Sequence, residues 1–446
     1  MFDVHVFIIF KISIAFLTKK CYNSIAFLMK NSFTGEIMLD DLFNLSRHFL
    51  RTFNRDYQRY FLKKNSLENR FNIIIGQRGV GKTTAIIQYI LSKYDLLTTQ
   101  ALYLPVDHFV FGKRNLFETA EEFHNLGGEL ICFDEIHKYE NWSRELKSIY
   151  DSFPKLKMIA SGSSAMKIQK ESYDLSRRAI VLKMTGLSFR EFIDLKLKLE
   201  TEPFSLASIL NNHEKIAADI VKTIENKNEK ILGLFNDYIK TGYYPYFLEF
   251  TDPAAYYIVL EQGIHTTIEN DLLAIHTALN GTSIKKIKKL LAVIAESVPF
   301  IPDLKKLKNI VEIGDERTLK NYLKILEDSG VIANLTKKSH SLNEFEKPEK
   351  IYLNNPNQIY AISPKGKENP GNIRETFFMN MLSQFHSVKL PKFGDFIVDD
   401  KYIFEVGGKK KGFSQIKDIP NSFIAVDDTE IGIGDKIPLW LFGFLY

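Results

Sequence analysis

Residues 72–90 read NIIIGQRGVGKTTAIIQYI, and the two ends of this stretch make opposite demands. Ile73, Ile74 and Ile75 are β-branched and apolar on both faces, as a central parallel strand covered by helices requires. Within a few residues the chain turns on Gly76, Gly79 and Gly81 and presents Lys82. Glycine permits unusual dihedrals and leaves backbone N–H groups pointing into a hollow. A helix is predicted from about Thr83, and its positive N-terminal end faces the same hollow. Gly76, four residues, then Gly81-Lys82-Thr83 satisfies the phosphate-loop pattern in full. On this reading Gly76, Gln77, Arg78, Gly79, Val80, Gly81, Lys82, Thr83 and Thr84 cradle a nucleotide. Lys82 reaches the β- and γ-phosphates and the Thr83 hydroxyl ligates magnesium. The bland alternative is a glycine-rich turn.

The chain has 446 residues, too many for one ordinary core, and about three domains are expected. Its composition, 45% hydrophobic and 25% charged, is that of a soluble globular protein. A net charge of +5 neither demands nor excludes nucleic acid, so any basic surface must be local. The two cysteines, Cys21 and Cys132, make no disulfide framework, and a reducing, cytoplasmic compartment fits best. Residues 1–37 form an apolar extension, but Lys11 interrupts it and no uninterrupted piece reaches about 18 residues. No membrane span is expected there. The change in character at Met38 suggests that the native chain starts at that residue.

A phosphate loop needs a carboxylate pair on a second strand. GGELICFDEIHKYENW supplies an apolar strand, Leu130–Phe133, ending in Asp134 and Glu135. Asp134 would hold the magnesium shell and Glu135 would orient and deprotonate the attacking water. Such a pair can instead only cap the following helix. A third strand, in LKMIASGSSA, ends in Ser161, Gly162, Ser163 and Ser164. In a parallel sheet that end lies beside the phosphates, so Ser161 or Ser163 could sense the γ-phosphate or the lytic water; a helix-capping turn is the equal alternative. A further strand in ALYLPVDHFVF ends near Asp107, which is read as structural.

FDEIHKYENWSRELKSIYD, ASGSSA and LSRRAIVLKMTGLSFREF resemble the AAA-type P-loop ATPases that carry a C-terminal domain of unknown function, DUF4143-like and of a Bacteroidetes-type branch. The resemblance spans residues 38–446. It implies ATP and Mg2+ as cofactors, and a glycine and arginine before the LSF segment. Arg177 stands at the glycine position, which leaves Arg178 as the matching arginine, contacting the γ-phosphate or signalling between subunits of a homo-oligomer.

The fold class expected is α/β: a P-loop parallel-sheet core at residues 38–198, a helical linker at 199–277, a winged helix-turn-helix at 278–340 and a small α+β nuclease-like domain at 341–446. TGYYPYFLEF punctuates the linker, and Tyr243, Tyr244 and Tyr246 are read as packing residues. SIKKIKKLLAVIAES, DLKKLKNI and DERTLKNYLKILEDSGVIANL suggest three helices followed by strands. The third helix would expose Arg317, Lys320, Asn321 and Lys324 to duplex DNA, although Asp315, Glu316, Glu327 and Asp328 weaken that case. At the C-terminus Glu375, Asp395 and Glu405, with Lys409 nearby, resemble the PD-(D/E)XK nuclease fold, in which carboxylates hold divalent metal. That pattern wants lysine two residues after the glutamate, and Gly407 is there. Three classes of function stay open: a DNA-acting ATP-dependent enzyme, a nucleotide-controlled switch, and an ATPase acting on a protein partner.

Overall fold

The computed structural model describes residues 38–446 except 113, 164–174, 176, 273–278, 297–298, 338–347 and 364–368. The apolar extension and Ser164 lie outside the described residues. Five strands, Phe71–Ile75 (β1), Ala101–Pro105 (β2), Leu130–Asp134 (β3), Lys157–Gly162 (β4) and Ile180–Lys183 (β5), form an all-parallel sheet of order β2-β3-β4-β1-β5. Every residue of β1, β2 and β3 is buried, because helices cover both faces. Pro105 pairs with Asp134, and Ile75 pairs with both Gly162 and Lys183. The C-terminal ends of the strands therefore share one edge, where an open α/β sheet keeps its site. This is a P-loop NTPase core.

Beyond it the chain is helical and then α+β. The helices Gly281–Ala295, Leu304–Val311 and Glu316–Asp328 are followed by Ile332–Leu335 (β6), which pairs antiparallel with Lys350–Leu353 (β7). Phe300 bridges to Ile351 on the other side of β7. Hydrogen bonds to β6 and Phe300 thus bind β7 to the helices before it, across the boundary expected at residue 340. The last sheet has the order β12-β11-β10-β9-β8, built from Val388–Lys389 (β8), Phe396–Val398 (β9), Tyr402–Gly407 (β10), Ser422–Val426 (β11) and Lys436–Pro438 (β12).

These units do not hang as separate beads. One apolar core runs from Ile86 in the helix after the phosphate loop to Tyr446. Phe189, at the start of the helix Phe189–Leu197, packs its ring 6.0 Å from that of Phe444 and 6.5 Å from Trp440. Ser188 Oγ and Arg190 Nε both donate to the Tyr446 backbone oxygen, at 2.5 and 2.9 Å. The helix Leu206–Glu225, expected in a linker, also reaches the last sheet, where His213 Nε2 lies 2.8 Å from the Gly434 carbonyl. Among the described residues no helix is long and apolar enough to cross a membrane.

Arg59 ties the phosphate loop to the chain after β5. Its guanidinium donates to the carbonyls of Val80 (2.7 Å), Thr185 (3.0 Å) and Gly186 (2.9 Å), and to Glu191 Oε1 (2.8 Å). Glu191 is fully buried and also accepts from the N–H groups of Tyr60 and Ser188. Burial alone would raise its pKa, but the Arg59 charge and these donors outweigh it and hold the carboxyl below the ordinary glutamate value. A depressed carboxylate contributes stability above its unfolded pKa and loses it as pH falls through the folded value, so this joint weakens only in acid. Glu191→Ala strands the Arg59 charge and is expected to cost about 3–5 kcal/mol, read as a lowered urea midpoint at pH 7; an unchanged midpoint would refute the role.

Candidate nucleotide site

Gly79 and Gly81 take φ of 80° and 99°, in the left-handed region that side chains disfavour, and Gly81 caps the helix Lys82–Lys93. The turn buries Lys82, whose Nζ donates to the Gly76 carbonyl at 2.9 Å and the Gln77 carbonyl at 3.0 Å. Its ammonium thus lies at the loop's centre, backed by the first turn of the helix.

Asp134 is the focus of the site. Its Oδ2 accepts from Thr83 Oγ1 and from the Tyr103 hydroxyl, each at 2.5 Å, and its Oδ1 accepts from Ser161 Oγ and the Glu135 N–H. A hydroxyl and a carboxylate in contact, both hard oxygen donors, fit the protein share of a magnesium site whose other ligands come from phosphate and water. Sequence reasoning missed Tyr103. Its signal was a tyrosine within a buried strand, since a buried phenol needs a partner. Burial, and then the Asp134 charge, push the Tyr103 pKa far up, so it stays a proton donor.

Glu135 follows Asp134 with a φ of 56°. That turn swings its carboxylate to 3.7 Å from His137 Nε2 and 4.0 Å from Lys138 Nζ. His137 Nε2 lies 3.2 Å from Ser163 Oγ, so the two serines divide: Ser161 serves Asp134, and Ser163 faces the Glu135 side. Asp107 pairs with Lys138, in keeping with a structural part.

Arg178 is elsewhere. It pairs with Asp151 at 2.9 Å, ahead of the first residue of β5. The loop lies beside Lys183, five residues later, so about 16 Å of extended chain separates Arg178 from its own chain's phosphate end. Arg177 takes φ 69°, a conformation that suits glycine, which explains why glycine would stand there.

The tyrosines of TGYYPYF do pack, Tyr243 against Gly186 and Tyr244 and Tyr246 on the phosphate loop. The Tyr244 hydroxyl donates to Gln77 Oε1 at 2.8 Å, and a Cβ on Gly79 would come within 2.5 Å of the Tyr246 ring.

The C-terminal carboxylates come together with different lysines from the one expected. Lys350 Nζ lies 3.2 Å from Glu375 Oε2 and 3.8 Å from Asp395 Oδ1. Lys411 Nζ lies 2.5 Å from Glu405 Oε2, and its stem fills the space where a side chain at 407 would stand, 2.7 Å from the ideal Cβ position. Lys409 is exposed instead. The turn after β10 folds Lys411 back, with its N–H on the Gly408 carbonyl at 2.8 Å. Burial raises the pKa of both Glu375 and Glu405. Among the described residues no three acidic, histidine or cysteine side chains converge to hold a metal ion.

On the Glu316–Asp328 helix, Arg317 and Asn321 are exposed and Lys320 is half-buried. Lys324 is tied to Asp328 at 2.8 Å and to Glu327 at 3.7 Å.

A family model described as an AAA domain matches residues 68–193, and one described as a domain of unknown function (DUF8612) matches residues 232–365. The chain joins an AAA domain to a domain of unknown function. The second model carries a different designation from the DUF4143-like one that the resemblance implied. The AAA domain match encloses the phosphate loop, Asp134, Glu135 and both serines. An uncharacterized protein of Methanocaldococcus jannaschii, MJ1637, is 26% identical over 330 residues, which cover 67% of this chain and 67% of that one. An uncharacterized protein of Haemophilus influenzae is 22% identical over 338 residues, covering 72% and 76%. Among solved structures, the Walker-type ATPase PABY2304 of Pyrococcus abyssi aligns with 72% of this chain and 96% of its own, at 11% identity and a TM-score of 0.36.

Tyr103→Phe removes one hydroxyl from Asp134 and leaves the ring in place. It is expected to raise the magnesium concentration needed for half-maximal nucleotide turnover by roughly 10-fold or more, as loss of an outer-shell partner does. A magnesium titration matching wild type would refute the assignment.

Proposed function

We propose that the chain is a magnesium-dependent ATPase that works as a nucleotide-controlled switch on a DNA-associated complex. The observation that carries the reading is the contact between Thr83 Oγ1 and Asp134 Oδ2 at the mouth of a loop centred on Lys82. Magnesium, when bound, neutralises phosphate charge in the transition state. Lys82 binds the β- and γ-phosphates and the loop N–H groups orient them. Glu135 takes the proton of the attacking water, and Ser163, across His137, steadies that side. The placement of Arg178 supports a part only at a neighbouring subunit's phosphates, so the reading carries with it a homo-oligomer in the active state.

DNA association draws on the helix pair Leu304–Val311 and Glu316–Asp328, read as a winged helix-turn-helix, with Arg317, Lys320 and Asn321 toward phosphates and base edges. Glu375, Asp395 and Glu405, partly offset by Lys350 and Lys411, act as a joint between β7 and the last sheet. No manganese-dependent cleavage of plasmid is expected of them, and nicking that Asp395→Ala abolishes would refute this.

The deciding measurement is ATP turnover by the full chain with and without duplex DNA, beside Lys82→Ala and Glu135→Gln. The expected result is turnover that both substitutions lower at least about 100-fold and that DNA raises, less so as salt increases, since phosphate contacts release counterions. Turnover indifferent to DNA at every salt concentration would move the reading to an ATPase with a protein partner. Turnover that survives Lys82→Ala would overturn the site.

A further inference from the structure

The Gln77 side chain bonds the phosphate loop to the second half of the chain. Gln77 Oε1 accepts from the Tyr244 hydroxyl at 2.8 Å, and Gln77 Nε2 donates to the Gly330 carbonyl. Tyr244 is held in turn by Asn355 Nδ2 at 3.2 Å and Gln358 Nε2 at 3.4 Å. Both ends of the Gln77 amide are therefore committed to residues more than 160 positions away.

Gly330 is no ordinary loop residue. It terminates the Glu316–Asp328 helix: its N–H reaches the Glu327 carbonyl at 2.8 Å, and the Val331 N–H reaches the Leu326 carbonyl at 3.0 Å. That pattern needs a left-handed residue after the helix, and Gly330 has φ 74°. A Cβ at 330 would stand 2.9 Å from Gln77 Nε2, so the approach of the loop demands glycine a second time. Beside this contact lies a cavity of about 360 Å³ lined by Gln77, Ser163, Lys183, Glu327, Gly330 and Asn380, which leaves the helix end room to move.

The same residue is bonded to the phosphate-binding lysine, because Lys82 Nζ donates to the Gln77 carbonyl at 3.0 Å. Charged phosphate oxygens attract an ammonium more strongly than neutral carbonyls do. Phosphate binding therefore draws Lys82 off that carbonyl, frees the Gln77 peptide to turn, and shifts a side chain whose amide is anchored at both ends. We infer that Gln77 passes phosphate occupancy to the C-terminal end of the Glu316–Asp328 helix, changing the seating of the element that carries Arg317, Lys320 and Asn321. The inference rests on the nucleotide-switch reading and gives that switch its moving part. A helix of 13 residues is about 20 Å long and behaves as a lever, so a small change at Gly330 is displaced in full to Arg317.

Hydrogen exchange of the full chain tests it, with and without saturating magnesium and a slowly hydrolysed ATP analogue, alongside equilibrium dialysis of the nucleotide. In wild type, nucleotide is expected to change the exchange rate of peptides within 326–335 on the order of 5-fold or more. In Tyr244→Phe, which keeps the ring and loses the bond to Gln77, the change is expected to fall below half of that with nucleotide bound. Gln77→Leu, lacking both bonds at similar volume, provides the same comparison should Tyr244→Phe fail to fold. Wild type that binds nucleotide with exchange at 326–335 unaltered overturns the inference and leaves the switch reading standing, as does a full response in a folded variant. Wild type that binds no nucleotide overturns both.

Discussion

The Arg59 guanidinium is the fixed point on which the rest of the arrangement depends. A buried cation must find acceptors on every side, and Arg59 finds them in three separate pieces of chain: Val80 in the phosphate loop, Thr185 and Gly186 after β5, and Glu191 in the next helix. Desolvating the ion is costly, and removing one partner leaves the charge stranded. The loop can therefore hold its shape only while the segment after β5 is in place. A motif read as local is in this chain supported by residues more than 100 positions later.

The parts legible from sequence are those whose chemistry is contained in a few neighbouring residues. Isoleucines ahead of glycines specify a buried strand and a phosphate loop, and an acidic pair after LICF falls at a strand end because four apolar residues can only be sheet there. The parts that were not legible depend on pairings across the chain. Tyr103 meets Asp134 because β2 lies beside β3, and Gln77 meets Gly330 because the three-helix unit folds back over the sheet edge. Lys411 takes the position expected of a lysine at 407 because a turn reverses the backbone, which spacing along the sequence does not convey. Arg178 is the instructive case. It precedes its strand, so in a parallel sheet it belongs at the end away from the phosphates, and strand polarity alone carries that conclusion.

Charge in the second half is arranged for cohesion as much as for display. Lys324, Lys288 and Lys289 each meet a carboxylate, and Lys350 and Lys411 partly offset the acidic cluster beside the last sheet. A net charge of +5 summed over the chain conceals this division.

The packing of Phe189 and Arg190 against residues 440–446 also bears on how the molecule assembles. The hydrogen bond from Ser188 to Tyr446 spans 258 positions. Closing so long a loop costs about 3 kcal/mol more in chain entropy than closing a loop of ten residues. No such contact can lead. Its entropy cost falls once the two sheets have already brought their helices together, so this seam is expected to close late in folding.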